Sequence, residues 1–196
     1  MTPPKDETAR LEALGLYAIL DTEPEEPFDS LARLAAHVCS VPIALVSFVD
    51  ERRQWFKSRV GLDAVEIPRN VGFCRQAIRQ DEVFVVEDTL TDARFADDPL
   101  VSCDPRIRFY AGAPLLTPDG HALGTLCVLD KVPRKLNAEQ QQAMRVLARH
   151  VMTQLELRRH TRELAAARNV QEEKDGELRL AQAELRRLKK KLARLE

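Results

Sequence analysis

The sequence lacks the features that mark several common classes of protein. No apolar run approaches the roughly 20 residues that a membrane-spanning helix requires, and the N-terminal stretch is polar, unlike a secretory signal. The four cysteines include no Cys-x-x-Cys pair, and the four histidines show no metal-ligand spacing with them. A nucleophile elbow and a phosphate-binding glycine loop are also missing. We therefore expect a cytoplasmic protein with reduced thiols, no membrane association, no metal and no catalytic residue.

Proline is absent after Pro133, and Gly176 is the one glycine in that part of the chain. Near its start, Asn137 and Gln140 form a capping-box pattern, in which each side chain bonds to the backbone of the other residue. The lack of helix breakers predicts one helix of about 60 residues, which would be about 90 Å long. Its second part is too long to pack on a domain of this size, so we expect that part to need a different partner.

Leucine recurs every seven residues in this second part, which is typical of a coiled coil. The leucines expected in the dimer interface are Leu157, Leu164, Leu178, Leu185, Leu188, Leu192 and Leu195. Gln171, Lys174 and Gly176 interrupt this seam. In a parallel dimer Glu184 of one helix would face Lys189 of the other, so we predict a parallel homodimer. The alternative is a single solvated helix. The segment is basic but has no interleaved aromatic residues, so we do not expect it to bind nucleic acid.

A long hairpin, Arg106–Asp130, organises the rest of the chain. Two apolar runs flank a Thr-Pro-Asp-Gly sequence, in which proline suits the first corner of a type I turn and Gly120 suits the left-handed position after it. Neither run has a polar face, so we expect both strands to be covered on both sides. Two further strands are predicted at Pro42–Asp50 and Gln54–Val60, and Lys57 and Arg59 are expected to protect an exposed edge of the second.

These segments together resemble a GAF domain, the sensory module of bacterial histidine kinases and diguanylate cyclases. The resemblance is carried by Val41–Leu62, Gly72–Cys74, Asp92–Val101, Ile107–Leu115 and Leu123–Asp130. It implies an α+β fold with a GAF-type antiparallel sheet of five or six strands, helices on one face and loops on the other, followed by the long C-terminal helix. The expected organisation is an N-terminal helix and linker (1–26), a GAF sensory domain (27–156) and a coiled-coil signalling helix (157–196).

In GAF relatives a ligand, where one exists, lies under the loops, and it can be a cyclic nucleotide, a bilin, haem or a small metabolite. The cyclic-nucleotide signature is missing here, and neither Cys74 nor Cys103 is followed by the histidine that accompanies covalent bilin attachment. We therefore expect no covalent bilin, and the cofactor is unknown. The predicted small-molecule pocket consists of Phe73, Cys74 and Ala77 from a short helix, Asp88, Phe95 and Leu100 from a long loop, and Tyr110, Gly112, Leu126 and Val128 from the sheet. The alternative is that these side chains fill the core and leave no cavity.

The expected function is that of a non-catalytic sensory module in bacterial signal transduction. A change in the pocket or at the dimer interface would tilt the exit helices, and the parallel coiled coil would carry this change to an output domain such as a histidine kinase or a diguanylate cyclase. One alternative is a thiol-dependent enzyme similar to free methionine sulfoxide reductases, with Cys74 activated by the adjacent Arg75 and with Cys103 on the long loop. The other alternative is that the thiols have no chemical role, and that Cys39, Cys74 and Cys127 pack as small buried apolar residues.

Overall fold

The computed structural model describes the backbone of residues 6–192 and the side chains of residues 6–186. The helices are α1 (Glu7–Tyr17), α2 (Glu26–Cys39), α3 (Cys74–Ala77), α4 (Pro99–Ser102) and α5 (Ala138–Leu192). The strands are β1 (Ile43–Val49), β2 (Arg53–Val60), β3 (Glu66–Pro68), β4 (Phe84–Val86), β5 (Phe109–Leu116) and β6 (Ala122–Asp130). Two compact units divide the chain, Met1–Glu156 and Leu157–Glu196, and the first contains all of these strands.

The six strands form one antiparallel sheet in the order β3-β2-β1-β6-β5-β4. Strands β5 and β6 are the predicted hairpin. At its turn Gly120 has a φ of +83°, and its N–H donates to the carbonyl of Thr117 at 2.9 Å. Glycine adopts this left-handed conformation without the steric penalty that a Cβ atom would bring. The α+β fold with a long C-terminal helix is confirmed, and the sheet has six strands.

Two hydrophobic cores lie on opposite faces of the sheet, because successive residues of a strand point to opposite sides. On one face, α1, α2 and the first part of α5 (138–156) cover the strands and bury Phe28 and Met144. On the other face, the loops with α3 and α4 cover the strands and bury Phe95 and Tyr110. The predicted separation of helices and loops onto different faces is confirmed. We call these two sides the helix face and the loop face.

Lys57 lies where the pairing of β1 with β2 shifts by one residue. Val46 pairs with Ser58, whereas Ser47 pairs with Phe56, so Lys57 is the additional residue of a β-bulge. The expectation that Lys57 protects an exposed edge is wrong. Strand β3 pairs only with Arg53–Trp55 of β2, and the bulge directs Lys57 towards the helix face, whereas Arg59 is exposed.

The ammonium group of Lys57 is fully buried and has three hydrogen-bond acceptors. Its Nζ donates to Thr22 Oγ1 at 2.8 Å, to the Glu25 carboxylate at 2.7 Å and to the carbonyl of Glu23. Nζ also lies 5.4 Å from the centroid of the Phe28 ring, which allows a cation–π contact. A buried charge needs such compensation, so these contacts fix the linker between α1 and α2 on the sheet.

Helix α5 begins with the predicted capping box. The N–H of Gln140 donates to Asn137 Oδ1 at 2.8 Å, and the N–H of Asn137 donates to Gln140 Oε1 at 3.1 Å.

In the C-terminal unit, the predicted interface leucines with described side chains are 53–71% exposed in the single chain: Leu157, Leu164, Leu178 and Leu185. The side chains of Leu188 and Leu192, and the whole of Leu195, lie outside the described residues.

No helix between residues 6 and 192 combines sufficient length with sufficient apolar character to cross a bilayer.

Candidate functional site

A cavity of about 350 Å³ lies on the loop face of the sheet. Its apolar wall includes Ile43 and Leu45 of β1, Phe56 of β2 and Leu129 of β6. The loops contribute further apolar side chains, among them Ile107. The volume falls in the range typical of small-molecule sites, which are mostly apolar with a few polar groups. The polar groups in this wall therefore decide which chemistry the cavity can accept.

A larger hollow of about 780 Å³ lies beside α1 and β3. Its central charged group is Arg53, which pairs with Asp50 at 3.0 Å, with Asp21 at 2.6 Å and with the carboxylate of Glu66. These pairings satisfy the guanidinium group within the protein. The smaller cavity on the loop face is the stronger candidate site, because it contains a polar atom that is not satisfied in this way.

Gln54 supplies this unsatisfied atom. The residue is fully buried in β2, and its Nε2 donates to the carbonyls of Val71 and Arg69. These two bonds fix the amide so that its Oε1 is buried without a hydrogen-bond donor among the described residues. Leaving a buried acceptor unpaired costs about 1–3 kcal/mol. A ligand that donates a hydrogen bond inside the cavity would remove this cost.

A second polar feature of the cavity wall is a cluster around the Cys74 thiol. Cys74 Sγ accepts hydrogen bonds from Thr125 Oγ1 at 3.3 Å and from the Tyr110 hydroxyl at 3.5 Å. Interaction with the Cys127 thiol lowers the pKa of Cys74, the bonds from Thr125 and Tyr110 lower it further, and burial opposes them. The pKa of Cys127 is raised, by its hydrogen bond with Cys74 and by burial. Of the two thiols, Cys74 is therefore the one whose thiolate form is stabilised.

The other two cysteines have different surroundings. Cys39 is buried at the end of α2 on the helix face, and burial raises the pKa of its thiol to about 11. Cys103 is exposed on the long loop and is not among the residues that line the cavity. The alternative of a thiol-dependent enzyme combined Cys74 with Cys103, but the cavity is lined by Cys74 and Cys127.

Tyr110 lies at the centre of an aromatic cluster on the loop face. Its ring stacks on Phe73 with 4.8 Å between the centroids, and Phe73 meets Phe95 edge-to-face at 5.0 Å. A Cβ atom at Gly112 would lie only 2.2 Å from the Tyr110 hydroxyl oxygen. Glycine at position 112 therefore makes room for the phenol, which reaches Cys74. Burial, together with the negative charge of Cys74, raises the pKa of Tyr110 well above its ordinary value, so its hydroxyl remains a donor.

Asp98 holds the two segments that cover the cavity together. Its Oδ1 accepts from the N–H of Leu100 and caps α4, while its Oδ2 accepts from the N–H of Gly72 at 2.8 Å. The first contact could have been predicted, because Asp followed by Pro is a common start of a helix. The second joins residues 26 positions apart, and no local pattern indicates it. Gln54 and Thr125 were likewise missed, because a single polar residue in an apolar strand carries no distinctive signal.

Asp88 does not take part in the cavity. Its carboxylate forms a two-point ion pair with Arg108, at 2.9 and 2.8 Å, near the protein surface. The Arg108 guanidinium lowers the pKa of Asp88. Asp88, which we predicted to line the pocket, instead fixes the base of the long loop to the start of β5.

The other predicted pocket residues fall into distinct groups. Those that line the cavity are Phe73, Cys74, Leu100 and Tyr110. Ala77 and Phe95 belong to the same core without lining the cavity, and Gly112 lies beneath the Tyr110 hydroxyl. Within residues 6–192, no group of three or more histidine, cysteine, aspartate or glutamate side chains is placed to hold a metal ion.

Leu126 and Val128 do not belong with this group, and their assignment to the pocket is corrected. Gly112 pairs with Cys127. Its two neighbours on β5 pair with the other two residues, Ala111 with Val128 and Ala113 with Leu126. Residues directly opposite each other on antiparallel strands point to the same face. Leu126 and Val128 therefore lie in the core of the helix face, and Cys127 takes the position on the loop face.

The sheet order, the helix-covered face and the cavity beneath the loops define a GAF domain. The GAF domain family profile matches residues 23–155, and the chain belongs to this family. The predicted resemblance is thereby confirmed.

The chain is similar to a protein of Pseudomonas aeruginosa named cyclic di-GMP phosphodiesterase, with 43% identity over 159 residues. The match covers 81% of this chain and 27% of that relative, so the chain spans about a quarter of the relative's length. Two solved structures share the fold. One is a domain assigned to a two-component sensor histidine kinase of Sinorhizobium meliloti, with a TM-score of 0.59, 17% identity, and coverage of 73% of this chain and 99% of that one. The other is the free methionine-R-sulfoxide reductase of Neisseria meningitidis, with a TM-score of 0.57, 17% identity, and coverage of 82% and 96%.

The comparisons correct one expectation. We expected a module that is non-catalytic itself and regulates an output domain, but the Pseudomonas relative is named as an enzyme, a cyclic di-GMP phosphodiesterase. A bacterial signalling context is supported by the same relative.

Proposed function

We propose that the chain is the sensory part of a signalling protein that hydrolyses cyclic di-GMP. The 43% sequence identity with the Pseudomonas phosphodiesterase supports the proposal that this protein hydrolyses cyclic di-GMP. The observation that carries the sensory role is the buried, unpaired Oε1 of Gln54, a residue that lines a cavity of about 350 Å³. This atom gives a ligand a way to stabilise the loop face, and a ligand that binds one conformation better than another shifts the balance between them.

The chemistry of the wall supports a particular class of ligand. No lysine or arginine is among the residues that line the cavity, whereas Asp63 and Asp104 belong to its lining and are exposed. The wall also offers an acceptor at Gln54. We infer a neutral or cationic ligand that has an apolar body and a hydrogen-bond donor. A cavity of 150 Å³ accommodates benzene, so the observed volume suits a molecule of one or two rings.

The long helix supports the route of transmission. Four leucines spaced by multiples of seven residues are more than half exposed in the single chain: Leu157, Leu164, Leu178 and Leu185. A helix with such a stripe buries it by pairing with a second helix. We propose that two copies of the chain pair in parallel along this seam. The polar break at Gln171, Lys174 and Gly176 would permit two registers of the seam.

The ligand class is tested with pairs of similar molecules that differ in charge. Tryptamine and tyramine are cationic donors with an apolar body, and indole-3-acetate and 4-hydroxyphenylacetate are their anionic counterparts. We expect the amines to bind at least about tenfold more tightly, by isothermal titration calorimetry and by thermal shift, because the acids bring a carboxylate towards Asp63 and Asp104 without a cation to meet it. Gln54→Met should weaken amine binding, whereas Gln142→Met, an exposed glutamine on α5, should not. Equal binding of the acids, or no binding of either amine, contradicts the proposed ligand class.

The output and the seam are tested together in a chimera in which this chain replaces the matching segment of the Pseudomonas relative. We expect the chimera to hydrolyse cyclic di-GMP and to be dimeric in analytical ultracentrifugation. Leu178→Asp places a charge in the seam and should lower both the dimer fraction and the ligand response of hydrolysis. Leu180→Asp is the matched control, since Leu180 lies on the same helix, outside the seam, and is 75% exposed. If both variants behave alike, the seam does not carry the signal.

A further inference from the structure

The Cys74 thiol is surrounded by more donors than a neutral thiol needs. Thr125 and Tyr110 both donate to Cys74 Sγ, from β6 and β5, and the Cys127 thiol faces it from β6. Sulfur in a neutral thiol is a weak acceptor. Donors that converge on one sulfur therefore stabilise a negative charge there more than they stabilise the thiol.

Access distinguishes this pair from an ordinary buried pair of cysteines. Cys74 and Cys127 both line the cavity of about 350 Å³, although each is at most 5% exposed. The cavity wall is largely apolar and its lining carries carboxylates. A small neutral reagent can therefore reach the sulfur more readily than an anionic one. Hydrogen peroxide has this size and charge.

We propose that Cys74 and Cys127 form a peroxide-reactive site, in which Cys74 is the attacking thiolate and Cys127 is the resolving thiol. The thiolate sulfur of Cys74 attacks one peroxide oxygen, the O–O bond breaks, and the departing hydroxide takes a proton to leave as water. Cys74 is then a sulfenic acid. The Cys127 sulfur next attacks Cys74 Sγ, the S–O bond breaks, and a second water leaves with the Cys127 proton. In total two thiols lose two electrons and two protons, and one peroxide becomes two waters.

The product would be a disulfide between α3 and β6, across the floor of the cavity. It would tie the segment that covers the cavity to the central strand beneath it. This inference uses the cavity as a route and does not require a resident ligand. Its outcome is therefore independent of the amine-binding test and of the chimera.

The chain contains its own controls for the experiment. Cys39 is equally buried but lies in the helix-face core, and burial raises the pKa of its thiol. Cys103 is exposed, so its oxidation rate shows how fast a surface thiol of this chain reacts without converging donors around it. A thiolate is the reactive form of cysteine, so Cys39 is expected to react least.

The test treats the reduced chain of 196 residues with hydrogen peroxide, blocks the remaining thiols with N-ethylmaleimide, and maps the peptides by mass spectrometry over time. We expect a Cys74–Cys127 disulfide within single chains, formed at least about tenfold faster than any oxidation of Cys39. Cys127→Ser should trap Cys74 as a sulfenic acid that reacts with dimedone. Thr125→Val removes one donor at nearly constant volume and should slow the oxidation several-fold, whereas Cys39→Ala should leave it unchanged.

Two results would overturn the proposal. One is oxidation of Cys74 no faster than that of Cys39 in the unmodified chain, a comparison that does not depend on any variant folding correctly. The other is that the disulfides formed involve Cys103 between two chains while Cys74 and Cys127 remain reduced.

Discussion

Lys57→Met most directly tests how the α1–α2 linker is fixed to the helix face of the sheet. Methionine keeps most of the length and volume of the lysine stem but removes the ammonium group. In the native chain this group is fully buried and donates to Thr22, Glu23 and Glu25. The substitution therefore removes all three bonds between the bulge in β2 and the α1–α2 linker, together with the contact to the Phe28 ring.

The expected cost follows from how well the three acceptors can rehydrate. A hydrogen bond to a charged group contributes about 1.5–3 kcal/mol, and breaking a buried ion pair costs about 3–5 kcal/mol. The Glu25 side chain is 34% exposed, so its carboxylate recovers part of its hydration in the variant. We therefore expect a loss of about 3 kcal/mol in the free energy of unfolding. For a chain of this size this corresponds to a drop of about 6–12 °C in Tm.

The measurement is guanidinium denaturation followed by circular dichroism, with Lys131→Met as the control for removing an exposed lysine. The control should change the free energy of unfolding by less than about 0.5 kcal/mol. If Lys57→Met changes it equally little, the buried ammonium group contributes no net stability, and the argument from its three acceptors is refuted. An unchanged slope of the transition would show that both variants still unfold as the native chain does.

Two further predictions concern Glu7 and the glycines. The hydrogen bond from Arg10 lowers the pKa of Glu7 to about 2, from an ordinary value of 4.5. The stabilisation from this carboxylate is therefore complete above about pH 4.5 and is lost as the pH falls towards 2. Because Glu7 is 46% exposed, we expect Glu7→Gln to cost only about 1–2 kcal/mol at pH 7, and the gap to the native chain should close in acid denaturation. Gly124→Ala would place a Cβ atom 1.9 Å from a backbone oxygen of β1, so it should cost about 3 kcal/mol or more in chemical denaturation. Gly176→Ala, which meets nothing within 4 Å, should instead gain about 1 kcal/mol; equal effects of the two alanines would contradict the close packing of β6 on β1.

Much of the fold could be predicted because its signals are local. The turn at Pro118 and Gly120 requires specific backbone angles, and the absence of a polar face in the flanking strands predicts that both faces are covered. The capping box at Asn137 likewise depends on residues that are three positions apart. Each of these patterns specifies a structure without reference to distant parts of the chain.

The site was less accessible to prediction because its contacts join distant segments. The pairing register of β5 with β6 decides that Cys127, and not Leu126 or Val128, shares a face with Gly112. This register shifts between Leu115 and Leu116, and nothing local in the sequence marks the shift. The bulge that buries Lys57 is a similar case, since one additional residue reverses which face a side chain occupies.

Buried polar groups occur on both faces of the sheet. On the helix face the Lys57 ammonium group has an acceptor for each of its donors, whereas the Ser58 hydroxyl has no hydrogen-bond partner among the described residues. On the loop face Gln54 keeps an unpaired oxygen, and Cys74 lies under donors that favour its charged form. A sequence selected only for stability would place an apolar side chain at position 54, because the unpaired acceptor costs about 1–3 kcal/mol. Departures of this kind from local consistency are expected at functional sites, and this is the physical reason to place both the ligand and the thiol chemistry on the loop face.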